Sequence, residues 1–142
     1  MRPRFSLPAL MITIALSGCG SPSAPLSSAD QARKSLEAGL EAWKAGRPAS
    51  SLTGDKPAID FVDFQWKAGK KLAAYSIASD QADAEAHTFK VGLTLADAKE
   101  PKQVEYKAIG VDPIHILRDE DYNRTLNMDN APAAAKAPGK RR

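Results

Sequence analysis

The chain carries one cysteine in 142 residues, so no internal disulfide can brace it. It has two histidines, His87 and His115, with no His-x-His pair and no second cysteine to join them. A protein metal site needs three or four ligands, and neither a metal nor any other cofactor is expected. Glycine-rich phosphate loops and the G-x-S-x-G nucleophile elbow are absent from the sequence. No apolar run reaches the about 20 residues that a spanning helix requires. Basic charge is also scarcer than the isoelectric point near 9.0 suggests. Residues 27–124 hold fourteen Lys/Arg against sixteen Asp/Glu, whereas residues 125–142 hold four against one. The basicity lies at the two ends, and no nucleic-acid partner is expected of the central part.

What is present begins at the N-terminus. Arg2 and Arg4 precede an uncharged, largely apolar stretch from Phe5 to Leu16, followed by small residues. A charged start, a short greasy run and a small-residue cut site form the pattern of an export signal. Leu16-Ser17-Gly18-Cys19 resembles the bacterial lipobox at all four positions. The resemblance implies that residues 1–18 are a lipoprotein signal peptide and that Cys19 is the lipidation site, becoming the acylated N-terminus after cleavage. A diacylglyceryl cysteine supplies two or more chains, enough for stable anchoring where one is marginal. The expected localisation is the cell envelope, with a membrane as the first partner. Gly20 and Ser21 are not the Asp that favours inner-membrane retention, so the outer membrane, facing the periplasm, is favoured.

Residues 19–28 read as a lipidated tether, rich in Pro and Ser and uncharged, reaching about 30 Å at full extension. Residues 123–142 read as a disordered basic tail without apolar periodicity. Between them, residues 29–122 form one domain, long enough for a single small core.

Ser28 and Gln31 have the spacing of a capping box. Leu36, Leu40 and Trp43 then fall on one helical face with Ala29 and Ala32, and Gly46 with Pro48 stops the helix at about residue 45. Gly39 inside it costs about 1 kcal/mol against Ala, which a close approach by another segment would explain. After Pro57 the period changes to 2. Ile59 and Phe61, then Val62, Phe64 and Trp66, predict a strand bent near Asp63. Ala73, Tyr75 and Ile77 define a second strand; His87, Phe89, Val91, Leu93 and Leu95 a third; Val104, Tyr106 and Ala108 a fourth. Ile114-His-Ile-Leu-Arg118 closes the set.

The expected fold class is α+β, one N-terminal helix packed on a curved antiparallel sheet of four to five strands. The order of elements is similar to the cystatin-like and NTF2-like group. The words "EAWKAG", "WKAGKKL" and "YKAIGVDPIHILRDE" resemble small uncharacterised planctomycete lipoproteins, a resemblance that carries no activity.

The residues capable of chemistry are few. His87 shares an apolar strand face and sits near Asp83 and Glu85, which read as a solvated loop. His115 alternates away from Ile114 and Ile116. Asp60 and Asp63 flank aromatic positions, and Asp63 with His87 is the one pair that an enclosed pocket could use for acid–base work. Phe61, Phe64, Trp66, Tyr75, Phe89 and Tyr106 read first as core, with Trp66 the most exposed. The expected function is a non-catalytic binding or interaction module contacting an envelope protein or peptide. The alternative is an NTF2-like small-ligand-binding or weakly catalytic pocket using Asp63, Trp66 and His87. An enclosed polar cavity between helix and sheet would discriminate the two.

Overall fold

A computed structural model describes residues 25–128. Its first element, α1 (Ala29–Lys44), starts where Ser28, in an extended conformation, accepts the Gln31 N–H on its side-chain oxygen at 3.2 Å. Gly46 ends it with φ +75°, a left-handed value that costs glycine no Cβ clash. The buried stripe holds Ala32, Leu36, Gly39, Leu40 and Trp43. A Cβ on Gly39 would collide with the Phe61 ring, so the glycine is the hole into which that ring packs.

A 3-10 turn (Ala49–Leu52) leads to β1 (Ile59–Val62) and a single helical turn, α2 (Phe64–Lys67). The meander β2 (Leu72–Ala82), β3 (His87–Leu95), β4 (Lys102–Ile109) and β5 (Ile114–Arg118) follows, and α3 (Asp119–Met128) ends the described chain. The five strands form one open sheet in the order β1-β5-β4-β3-β2. Its inward residues, among them Phe61, Phe89, Val91, Val104, Tyr106, Ala108, Ile114 and Ile116, join the α1 stripe in one buried cluster.

The α+β layout with α1 packed on a five-stranded sheet is therefore present, but the sheet is mixed, not antiparallel throughout. β1 runs parallel to β5, with Ile59 opposite Ile114 and Phe61 opposite Ile116. Apolar alternation reports which face a side chain takes and says nothing of strand direction or neighbour. The chain leaves β1 through α2, crosses to the far edge to start β2, and the four-strand meander brings β5 back beside β1 in the same direction.

Three further boundaries differ from the sequence reading. Phe64, Gln65 and Trp66 are not strand: the Asp63 carboxylate caps them into α2, a stronger local influence than the alternation. Ala73 is exposed while Tyr75 and Ile77, expected on the same face, are half-buried, because β2 changes register between Leu72 and Ala74. α3 extends to Met128, into the stretch expected to begin the tail, with Asp119, Glu120 and Asp121 in its first turn where acids favour a helix. The end of the expected tether also belongs to the domain, since Ser27 is buried and its N–H donates to the Gly110 carbonyl at 3.1 Å. Cys19 and the last fourteen residues lie outside the described residues.

Candidate functional site

Asp63 is 1% exposed, the most buried acid of the described residues. It follows β1 directly, and its extended backbone makes it the cap of α2. Oδ1 accepts the backbone N–H groups of Gln65 at 2.7 Å and Trp66 at 3.1 Å. Oδ2 accepts the Tyr106 hydroxyl at 2.5 Å and Nη1 of Arg118 at 3.4 Å. One carboxylate thus ties the β1–α2 corner to β4 and β5, where Tyr106 and Arg118 are cross-strand partners. Arg118 reaches onward through Nη2 to Glu120 at 2.8 Å, and Glu120 also takes Lys102 Nζ at 3.1 Å. Asp121 extends the cluster by accepting the Phe64 N–H at 2.8 Å.

The charges are matched to the burial. Burial, then the Asp63 charge and hydrogen bond, hold the Tyr106 phenol well above its ordinary range, so it remains a donor. Burial works to lower the Arg118 guanidinium, but Asp63, Tyr106 and Glu120 outweigh it and hold it above the usual value. Burial likewise works to raise Glu120, and Lys102 and Arg118 hold it below the usual carboxylate range.

A general base must present a free lone pair to a substrate proton. The two Asp63 oxygens already accept four donors, which leaves the carboxylate a hub that fixes the chain's path. Arg118 Nε is buried without a partner among the described residues. Beside it lies a cleft of about 140 Å³, lined by Gln65, Leu93, Leu95, Lys102, Val104 and Arg118.

His87 does not join Asp63. It is 6% exposed, and its Nε2 lies 2.7 Å from the Ser27 carbonyl oxygen. A carbonyl can only accept, so Nε2 donates in that bond. The ring closes the N-terminal entry of the chain onto β3, and no hydrogen bond among the described residues connects it to Asp63. The two residues sit at different levels of the sheet: His87 is opposite Ala108, while Asp63 engages Tyr106, the partner of Phe89.

Trp66 is half-buried and not a free platform. It stacks on Trp43 with ring centres 5.6 Å apart and planes 9° from parallel, and Phe61 meets it edge-on at 5.3 Å. The space between α1 and the sheet is filled by these rings with Leu36, Leu40, Phe89 and Tyr106. The remaining polar candidates are surface features. His115 Nδ1 lies 3.1 Å from Asp60 Oδ2 across the parallel β1–β5 pair, both half-exposed. Asp83 caps the β2–β3 turn, and the N–H groups of Glu85 and Ala86 hold its carboxyl below the usual range. Among the described residues, no group of three or more His, Cys, Asp or Glu could hold a metal ion. No helix of the described residues is long and apolar enough to cross a membrane.

Arg118 and the Tyr106 hydroxyl are the functional groups that sequence reasoning missed. Arg118 had a signal: it shares parity with Ile114 and Ile116 in β5, which places a charge on the inward face. A buried cation demands a buried anion, and Asp63 was the acid at hand. No protein-family model and no curated protein matches the chain in sequence.

Proposed function

We propose that the chain is a membrane-anchored bacterial envelope lipoprotein whose domain, cystatin-like in its order of helix then strands, is a non-catalytic module that binds an envelope protein or peptide. Cys19 carries the anchor in this reading, and the outer membrane is its location. The observation that carries the binding role is the free edge of β2. It has one strand neighbour, β3, in an open sheet, and residues 78–82 are all exposed. An unpaired edge offers a row of backbone donors and acceptors to an extended peptide. The saturated Asp63 carboxylate and the ring-filled interior support binding over catalysis.

Two experiments test the two halves. Cys19→Ser in the full chain is expected to leave an uncleaved precursor that takes up no labelled palmitate; processed, labelled variant protein would end the lipoprotein reading. A photo-crosslinking residue at Ala78 is expected to give one discrete adduct in intact cells, while one at Asn123 gives none. Identical adduct patterns from both positions would end the edge-strand reading.

A further inference from the structure

The two indoles do more than fill the core. Trp43, in α1, donates its ring N–H to the Lys70 carbonyl at 2.7 Å, and Trp66, in α2, donates its own to the Arg47 carbonyl at 3.1 Å. The stacked pair therefore cross-links two turns, one after α1 and one before β2, through the backbones of two cationic residues. Between these turns lies a cleft of about 290 Å³ lined by both tryptophans with Arg47, Pro48, Lys70 and Lys71.

Five cations stand within five residues of one tryptophan or the other in the chain, Lys44, Arg47, Lys67, Lys70 and Lys71, and three of them, Arg47, Lys70 and Lys71, line the cleft. Lys44 faces Glu41 at 4.0 Å, and Lys70 forms an ion pair with Asp97. Lys67 lies over the Phe64 ring at 5.8 Å. Arg47 and Lys71 are exposed and have no carboxylate within ion-pair distance among the described residues. The acidic excess of the domain thus lies elsewhere, and this cleft is a local positive field on a mildly negative body. Like charges are not held at fixed spacing without cost, and a bound anion removes that cost.

We propose that this cleft is a binding site for a phosphate ester, with Arg47 and Lys71 as its charged ligands and Lys70 as the third, partly neutralised contact. The planar Arg47 fork suits two phosphate oxygens, and Lys71 supplies a point charge from the opposite turn. The indole cross-links hold the backbones of Arg47 and Lys70 in place before any ligand arrives, so less ordering is lost on binding. The site is separate from the β2 edge, and neither reading depends on the other.

Both tryptophans of the chain line this cleft, so intrinsic fluorescence reports on it directly. The full chain in an uncharged detergent would be titrated at fixed ionic strength with glycerol 3-phosphate, with glycerol as control. A second titration would use the same micelles doped with phosphatidylglycerol, with diacylglycerol as the phosphate-free control. A saturable response to the phosphorylated probe is expected in at least one titration. A response to glycerol 3-phosphate assigns the site to a phosphorylated solute; a response to the doped micelles alone assigns it to a lipid headgroup. The Arg47→Ala/Lys71→Ala double variant is expected to weaken binding about thirtyfold, at roughly one decimal order per 1.4 kcal/mol and about 1 kcal/mol for each basic residue. Both side chains are exposed, so its thermal transition should match that of the parent and separate lost binding from lost fold. No saturable response to either probe, or equal affinity in the double variant, would overturn the proposal.

Discussion

The two edges of the sheet are built in opposite ways. β1 is four residues long and strongly apolar, and almost everything around it serves to cover it. The 3-10 turn crosses it with Leu52 at 1% exposure, Phe61 fills the Gly39 hollow of α1, and Asp63 clamps the strand's exit. β2 is eleven residues long, and its outer half, Ala78 to Ala82, is small and polar, exposed, and broken by a register shift between Ile77 and Ser79. An apolar edge must be covered because it would otherwise recruit any passing strand. A polar, bulged edge can stay open, since only a partner that matches its irregular ladder gains from pairing. Edge character is thus decided by what crosses the strand, and the composition of each strand agrees with its cover.

Substitutions should separate the two edges by size of effect. Asp63→Ala leaves the buried Tyr106 hydroxyl without its acceptor and the Arg118 guanidinium with Glu120 as its remaining anion, and about 3–5 kcal/mol of stability should be lost; an unchanged denaturant midpoint would show that the clamp contributes nothing. Gly39→Ala drives a methyl group into the Phe61 ring. Overpacking costs about 1–3 kcal/mol and helix propensity returns about 1, so a net loss of about 0–2 kcal/mol is expected. A stabilised variant would mean that Phe61 can move aside.

The next effect is a pH dependence at β2. Burial and the Glu41 carboxylate push the Tyr75 phenol up to about 12 from an ordinary 10.0. Below pH 10 the folded and unfolded chains both keep the proton. Between about 10 and 12 the unfolded chain ionises first, so stability should fall as pH rises through this window. Tyr106, also raised, adds to the fall. Tyr75→Phe should make alkaline melting curves less steep in pH, and an identical pH profile would place Tyr75 outside the effect. The smallest change is expected at the open edge itself: Ala78→Lys should shift stability by no more than about 0.5 kcal/mol. A larger loss, read from the same melts, would show that the β2 edge is covered after all.

Much of the architecture was legible from local pattern. The Ser28 cap, the Leu36, Leu40 and Trp43 stripe and the Gly46 stop place α1 within a residue of its observed end. The alternation of His87 to Leu95 and Val104 to Ala108, with polar residues between, gives the β3–β4 hairpin and its inward face. Even the anomaly at Gly39 was visible, although its partner Phe61 was not. The candidate site was read less well. Asp63 stands out in the sequence as the acid at a bend, but alternation marks Tyr106 only as an inward ring and Arg118 only as the end of a strand. No local pattern tells whether Asp63 and His87 meet, and strand register separates them.

The sequence by itself determined the elements whose causes lie within a few residues: caps, periodicities, turns, and the N-terminal pattern that ends at Cys19. It also determined which residues of β3 and β4 face inward, because burial of apolar surface imposes that choice on their alternation. Only the tertiary structure decided that β1 lies parallel to β5, that one carboxylate joins α2 to two strands, and that two tryptophans bring Arg47 and Lys71 to the same cleft. These are contacts between segments tens of residues apart, fixed by register and by the demand that every buried charge and donor find a partner. A local pattern carries no record of which distant partner meets that demand.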